Sequence, residues 1–255
     1  MEALANNDKH LGVQLLEFAK RNKELDSPEQ ILNLLHDVTF PTCQIAVMGA
    51  LQLPLRWGDW ARMEKGKNVF LHESVPEGWW LEWREHNKLH PGPALGLAQL
   101  SIAPFTMTEL MRMLEPIGHD RWPFELALKY GMRDSLTCPV GGRWVVGFWS
   151  RHVLSQRLTP EARAMLFMGA TFAAIGLQRV VRPQADRLGS RVSLTPRELA
   201  VLRALSFGKS FLEIAKSLGL GEETVRTHIK KAQIKLQAQN RTHAVAQALR
   251  LRLIP

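Results

Sequence analysis

Cysteine and long apolar runs are both scarce in this chain of 255 residues. Only Cys43 and Cys138 are present and they lie far apart, which excludes a disulfide framework and a zinc site built on cysteines. The longest nearly apolar stretch, residues 164–177, is shorter than the roughly 18–20 residues that span a bilayer. The first ten residues, MEALANNDKH, lack the apolar segment of a signal peptide. We therefore expect a cytoplasmic protein without a membrane partner.

Positive charge is concentrated at one end of the chain, although the whole sequence has a formal net charge of +9. Residues 191–255 contain 12 Lys and Arg against 4 Asp and Glu, whereas residues 1–190 contain 21 against 20. This asymmetry predicts a basic module that meets a polyanion, joined to a near-neutral module with another task. Charge alone favours nucleic acid, although an anionic membrane surface attracts the same residues.

Aromatic residues are distributed just as unevenly. All eight tryptophans lie between Trp57 and Trp149, and the only tyrosine is Tyr130. Because indole rings offer flat walls with one polar edge, this region is a candidate for a ligand pocket. Core packing is the alternative interpretation for most of these residues.

The two compositions meet in a segment of mixed charge. Pro183 and Gly189 interrupt it, which predicts a linker over residues 181–192. The linker separates a domain over residues 1–180 from a smaller one over residues 193–255. No internal repeat or low-complexity tract is evident in the sequence.

The N-terminal domain contains both helical and strand patterns, which predicts an α+β fold. Apolar spacing predicts helices over residues 8–23, 28–36, 77–89, 106–115, 121–130 and 161–180. Strand-like runs lie at residues 44–48, 69–72 and 143–149. The helix over 161–180 has a broad apolar face, which suits either the core or a contact between subunits.

Capping signals define an all-α C-terminal domain. Thr195 to Glu198 and Ser210 to Glu213 are capping boxes that open two helices. Gly219 marks the turn that follows the second helix. A third helix is predicted over residues 222–236, and a fourth, capped by Asn240 or Thr242, runs to about residue 253. Four short helices with a glycine turn between the second and third are typical of a helix-turn-helix.

The third of these helices is the candidate DNA-binding element. Its outward face contains donors for phosphate oxygens and base edges. They are Thr224, Arg226, Thr227, Lys230 and Lys231. Each one alone suits any solvated helix, but the set on the second helix of the motif indicates DNA as the partner.

This domain resembles the LuxR-type helix-turn-helix. The resemblance covers nearly all of residues 190–255 and is carried by motifs such as LTPREL at 194–199 and TVRTH at 224–228. It implies that the third helix enters the major groove of DNA. It also implies that Arg226, Thr227 and Lys230 contact the DNA.

The N-terminal domain resembles the autoinducer-binding sensor of quorum-sensing regulators. The motif VPEGW at 75–79, followed by Trp83 and Pro91, is similar to the Tyr-Pro-x-x-Trp stretch of the sensor. The resemblance implies an α/β/α sandwich with a mostly antiparallel sheet. It further implies an acyl-homoserine lactone or a related amphipathic signal, with Trp79 donating to the lactone carbonyl and Trp83 as an aromatic wall.

Three further positions concern the ligand. Ser150 resembles a Ser or Thr that helps to hold the acyl carbonyl in the sensor. Val75 replaces the first tyrosine of the motif, and His90 replaces the acidic residue that accepts from the ligand amide. A neutral imidazole makes no charge-assisted bond, and the loss of such a bond costs about 1–3 kcal/mol. The sequence thus allows a different amide or acyl chain, another signal, or none.

Together these features predict a signal-responsive, DNA-binding transcriptional regulator that acts as a homodimer. The alternative is a signal-blind member that inhibits a related regulator by pairing with it, as the changes at Val75 and His90 suggest. Catalytic motifs are not evident, and His86 and His90 lack a third ligand for a metal. We therefore expect neither an enzyme nor a metal or cofactor.

Overall fold

The contacts of the chain divide it into two units, Met1–Gln184 and Ala185–Pro255. A computed structural model describes residues 2–54, 60, 62–87, 92–118, 121–185, 194–251 and 253–254. The helix predicted to end at residue 180 continues to Ala185, so it includes the start of the predicted linker. The remainder of that segment, residues 186–192, lies outside the described residues.

The N-terminal unit combines helices with one antiparallel sheet. Its helices are α1 (Glu2–Arg21), α2 (Pro28–Cys43), α3 (Glu77–Asn87), α4 (Pro93–Leu100), α5 (Met107–Leu114), α6 (Trp122–Lys129) and α7 (Pro160–Ala185). Its strands are β1 (Val47–Gln52), β2 (Val69–Leu71), β3 (Phe105–Thr106), β4 (Asp134–Val140) and β5 (Trp144–Ser150). The strand order is β2-β1-β5-β4-β3, and every neighbouring pair is antiparallel.

Helices α1, α2 and α7 cover one face of the sheet. Because successive side chains of a strand point to opposite faces, Val146 and Phe148 of β5 both pack beneath these helices. Leu15 of α1, Leu35 of α2 and Leu166 of α7 are wholly buried in the same cluster. This layer contains the main core of the unit.

Helices α3 to α6 cover the opposite face. Val145 of β5 and Leu51 of β1 pack there with Trp80 of α3. A neighbouring cluster joins Val47 of β1 to Trp79 of α3. The sheet therefore lies between two helical layers, and the predicted α/β/α sandwich with an antiparallel sheet is confirmed.

Helix α7 is the longest apolar element. Residues 160–181 are long and apolar enough to cross a membrane by length and composition. In the fold, Leu166, Ala173 and Leu177 are wholly buried in the main core, whereas Ile175 is 59% exposed. The helix predicted over 161–180 thus supplies core side chains to its own unit.

Helix boundaries near the first strand differ from the prediction. Helix α2 continues past residue 36 to Cys43, and Gln44 then caps it with a left-handed backbone, φ 53°. The Gln44 amide donates to the Phe40 carbonyl, which keeps residue 44 in the helix end. The strand predicted over 44–48 therefore begins only at Val47.

The C-terminal unit consists of four described helices, α8 (Pro196–Ser206), α9 (Phe211–Leu218), α10 (Glu222–Lys235) and α11 (Arg241–Arg250). Both predicted capping boxes are present, at Thr195 and Ser210. Asn240, rather than Thr242, caps α11. Gly219 adopts a left-handed conformation, φ 63°, between α9 and α10. The predicted helix-turn-helix is confirmed.

We predict that Gly176→Ala destabilises the N-terminal unit. A Cβ at Gly176 would lie 2.9 Å from Cγ of Asn22, which is buried and donates through Nδ2 to the Phe172 carbonyl at 2.6 Å. Overpacking costs about 1–3 kcal/mol, more than the gain of roughly 1 kcal/mol in helix propensity. Denaturant melts should show a lower free energy of unfolding.

Gly96→Ala in α4 is the matched control. Among the described residues outside its own helix, no atom lies within 4 Å of a Cβ at Gly96, so this variant should be unchanged or slightly more stable. Equal effects of the two substitutions would contradict a steric cost specific to Gly176.

Candidate functional site

A largely apolar cavity lies between the sheet and helices α3 to α6. Its volume is about 150 Å³, on a measure where one water needs roughly 10–15 Å³, so it has room for a small organic molecule. The sheet contributes Val47, Gly49, Ala50, Leu51, Val69, Leu71, Phe105, Ser135, Thr137, Val145, Gly147 and Trp149. The helical side contributes Trp79, Trp80, Trp83, Ala94, Leu95, Met107, Leu110, Pro123, Phe124 and Ala127, while Val75 lies just before α3.

Stacked aromatic rings form one wall of this cavity. Trp79 meets Trp149 edge to face, with ring centroids 5.3 Å apart and planes at 79°. Trp79 also stacks on Tyr130, with centroids 6.0 Å apart and planes at 11°. Since Trp79 is only 6% exposed, its contacts with the two rings hold its indole in one orientation.

Tyr130 is held in place by a hydrogen bond to Glu82. Its hydroxyl donates to Glu82 at 2.7 Å, and Lys129 donates to the same carboxylate at 2.8 Å. The hydrogen bonds from Lys129 and Tyr130 lower the pKa of Glu82. The hydrogen bond to Glu82 raises the pKa of Tyr130. A Cβ at Gly78 would overlap the Tyr130 hydroxyl, so glycine at 78 lets the phenol reach Glu82.

Two hydroxyls on β4 supply polarity to the cavity wall. Ser135 and Thr137 alternate with Leu136 and Cys138, so they face the cavity while the apolar pair faces the main core. Neither hydroxyl makes a hydrogen bond within the described part of the chain. Both are therefore available to a ligand.

The structure brings two of the four predicted ligand contacts together. Trp79 and Trp83 both line the cavity. Ser150 does not, because it is the strand neighbour of Trp149 and points to the opposite face. Its Oγ donates to the Gln44 carbonyl and accepts from the His152 amide, each at 3.1 Å. His90 lies outside the described residues.

Sequence reasoning missed the two β4 hydroxyls and the partner role of Tyr130. The period-two alternation of DSLTCPV at 134–140 was the available signal for Ser135 and Thr137. The contact between Tyr130 and Trp79 depends on how α6 packs beside α3, which no local pattern reveals.

Metal and thiol chemistry have little support in the described residues. They contain no group of three His, Cys, Asp or Glu side chains that could hold a metal ion. His86 stacks on Trp122 with centroids 3.9 Å apart. Cys43 and Cys138 are buried free thiols, and burial raises the pKa of Cys43 to about 12, so it stays protonated.

Helix α10 presents its polar face to solvent. Val225, Ile229 and Ala232 are buried against the neighbouring helices. The predicted DNA-contacting set, Thr224, Arg226, Thr227, Lys230 and Lys231, is exposed throughout. The helix therefore separates an apolar inner side from an outer side rich in hydrogen-bond donors and positive charge.

An ion pair between a buried carboxylate and a partly exposed lysine joins α10 to α8. Glu198 is 2% exposed, and its carboxylate accepts from Lys235 Nζ and from the Thr195 amide, each at 2.8 Å. Burial acts to raise the pKa of Glu198, but the bonds from Lys235 and Thr195 outweigh it and the pKa lies below its usual value. The capping box of α8 thus also orients α10.

Comparison with known families supports the DNA-binding interpretation. Residues 192–248 match the GerE family model, described as bacterial regulatory proteins of the luxR family. Over 61 residues, 24% of each chain, the sequence is 49% identical to the quorum sensing-dependent transcriptional regulator VjbR of Brucella abortus.

Similarity to other proteins extends over almost the whole chain. The HTH-type quorum sensing-dependent transcriptional regulator RpaR of Rhodopseudomonas palustris is 27% identical over 266 residues, which cover 98% of this chain and 99% of that protein. The transcriptional activator AhyR of Aeromonas hydrophila is 25% identical, covering 92% of this chain and 90% of its own.

Solved structures share the fold. A crystal structure of Escherichia coli SdiA gives a TM-score of 0.60 at 20% identity, covering 94% of this chain and 97% of that chain. SdiA in complex with octanoyl-rac-glycerol gives 0.58, also at 20% identity, covering 92% of this chain and 93% of that chain.

We predict that the Glu198 ion pair makes the C-terminal unit acid-sensitive. The folded pKa of Glu198 is lower than its unfolded value of 4.5, so its contribution is complete above 4.5 and is lost as pH falls through the folded pKa. Glu198→Gln should cost about 1–3 kcal/mol at neutral pH and flatten the fall in stability below pH 4.5.

Glu223→Gln is the matched control, because Glu223 is largely exposed and lies 3.9 Å from Arg226. Circular dichroism melts at several pH values check both variants. An unchanged acid limb in Glu198→Gln would contradict the assigned role.

Proposed function

We propose that this chain is a transcriptional regulator of the LuxR family that responds to a small signal in the cytoplasm. The match of residues 192–248 to the luxR family model and the near full-length similarity to quorum-sensing regulators support this proposal. The observation that carries the proposal is the pairing of two sites on one chain. One is a largely apolar cavity with an aromatic wall in the N-terminal unit, and the other is the exposed basic face of α10.

DNA is the partner of the C-terminal unit. We assign DNA contacts to Thr224, Arg226, Thr227, Lys230 and Lys231. Their exposure supports this assignment, because side chains held in the core are not available to phosphate oxygens or base edges. The ion pair between Glu198 and Lys235 supports it further, since it joins α10 to α8.

A small amphipathic molecule is the ligand of the N-terminal unit, and an acyl-homoserine lactone or a close relative suits the cavity. The apolar walls match an acyl chain, and the few polar groups match one or two carbonyls. We assign Trp79 and Trp83 to the ligand, and His90 remains a predicted contact. The hydroxyls of Ser135 and Thr137 take the polar role that the resemblance implied for Ser150, whose Oγ is used by the backbone.

A signal that binds only the folded protein stabilises the folded state, by an amount that grows with ligand concentration relative to Kd. We propose that the stabilised protein acts as a homodimer, which presents two copies of α10 to a nearly palindromic DNA site. A signal-blind protein that pairs with a related regulator is the alternative, favoured by Val75 on the cavity wall in place of the family's tyrosine.

We predict that Lys230→Ala weakens DNA binding and leaves folding intact. Lys230 is exposed on α10 and makes no ion pair within the described residues, so its loss removes a phosphate or base contact without a structural cost. Affinity should fall about threefold or more in a fluorescence anisotropy titration with duplex DNA.

Lys216→Ala, an exposed lysine on α9, is the control for lost charge. Wild-type affinity in Lys230→Ala, with normal thermal stability, would overturn the assignment of α10 as the DNA-binding face.

We predict that acyl-homoserine lactones quench or enhance tryptophan fluorescence and raise the melting temperature. All eight tryptophans lie between residues 57 and 149, so the fluorescence reports on the N-terminal unit alone.

Thr137→Val keeps the shape of the side chain but removes the hydroxyl, and should weaken lactone binding about two- to tenfold.

Ser155→Ala is the matched control, because it removes a hydroxyl outside the residues that line the cavity. Flat titrations of folded wild-type protein with every lactone tested would reject this signal class. Gel filtration of the protein mixed with a related receptor would then test the pairing alternative.

A further inference from the structure

The ring of Phe211 has two arginine neighbours from different helices. Cζ of Arg226, on α10, lies 4.6 Å from the ring centroid. Cζ of Arg241, the first residue of α11, lies 5.4 Å from the same centroid. Phe211 is itself the first residue of α9, so one side chain links three helices at a single point.

Both distances are within the range of about 6 Å over which a guanidinium group is attracted to an aromatic ring. A guanidinium that rests on a ring keeps its donors available, because its N–H bonds lie in its own plane. Phe211 therefore holds two guanidinium groups close to it, and their N–H donors remain available for other hydrogen bonds.

The charges around the ring are only partly balanced. Glu222 and Glu223 both approach Arg226 at 3.9 Å, which is long for an ion pair, and both are exposed. Arg241 has no carboxylate partner among the residues that the structure describes. Two cations close to one ring repel each other, so an anion bound nearby would stabilise the arrangement.

We infer that Phe211, Arg226 and Arg241 form one binding site for a phosphate group of the DNA backbone. The inference rests on the proposed function, since it takes α10 as the helix that meets DNA. Arg241 adds a DNA contact from α11 that the α10 face does not contain. Phe211 is a positioning residue, because it acts on the phosphate only through the two arginines.

Exposure and donor geometry both favour a backbone phosphate. Arg226 and Arg241 are exposed, so the site opens to the solvent, where a duplex has access. Planar guanidinium groups bind phosphate oxygens through paired hydrogen bonds. A contact from α11 beside α10 would fix the position of the recognition helix without reading sequence.

The salt dependence of DNA binding tests the role of Arg241. The probe is a duplex selected from a random library by the wild-type, full-length protein. Arg241→Gln should lower the slope of log K against log salt by about 1, the value for one phosphate contact. Arg250→Gln removes the same charge from the other end of α11 and should leave the slope within error of wild type.

Substitutions at Phe211 test the role of the ring. Phe211→Leu keeps apolar bulk but removes the aromatic face, and should weaken binding about two- to fivefold. Phe211→Tyr keeps the face and should restore wild-type affinity. Combined with Phe211→Leu, Arg241→Gln should have a smaller effect than it has alone, because the arginine is already mispositioned.

The outcomes separate this inference from the proposed function. Unchanged slope and affinity in Arg241→Gln would overturn the phosphate site, even if Lys230→Ala weakens binding as expected. Wild-type affinity in both Lys230→Ala and Arg241→Gln would instead overturn α10 as the DNA-binding helix. Equal losses in Phe211→Leu and Phe211→Tyr, with unchanged melting temperatures, would contradict the positioning role of the ring.

Discussion

The alternation of side chains along β5 is the constraint on which the N-terminal unit depends. Val146 and Phe148 close the main core beneath α1, α2 and α7, while Val145, Gly147 and Trp149 line the cavity on the other side. Because β5 pairs with both β1 and β4 in the centre of the sheet, its register sets the faces of its neighbours. The central strand thus separates the layer that contains the main core from the layer that contains the cavity.

Different interactions hold the functional side chains in position in the two units. In the N-terminal unit, aromatic rings support one another, and the polar group formed by Glu82, Lys129 and Tyr130 lies behind the wall. In the C-terminal unit the positions of short helices depend on caps and one buried carboxylate, Glu198, that serves both α8 and α10. Small domains with little core gain more from such polar links, since few apolar contacts are available.

The C-terminal unit was predictable almost element by element because its signals are local. The residues of a capping box, or a left-handed glycine, lie within four or five positions of the helix end that they determine. The cavity was harder, since it depends on which strand faces which layer. Ser150 illustrates this, because a displacement by one residue moves a side chain from the cavity to the opposite face. Helix α4 and the two-residue strand β3 left no periodic pattern strong enough to predict them alone, whereas the alternation at residues 134–140 that marks β4 was overlooked.

The contact between Gly147 and Trp149 has a consequence for how this cavity can change over generations. A Cβ at Gly147 would lie 2.7 Å from Cζ3 of the Trp149 ring, so any larger residue at 147 meets the indole at once. Replacement of Trp149 by a smaller residue removes that obstacle and opens the cavity at the same time. A larger residue at 147 therefore costs less once 149 has changed, so the shape of the cavity depends on the two positions together.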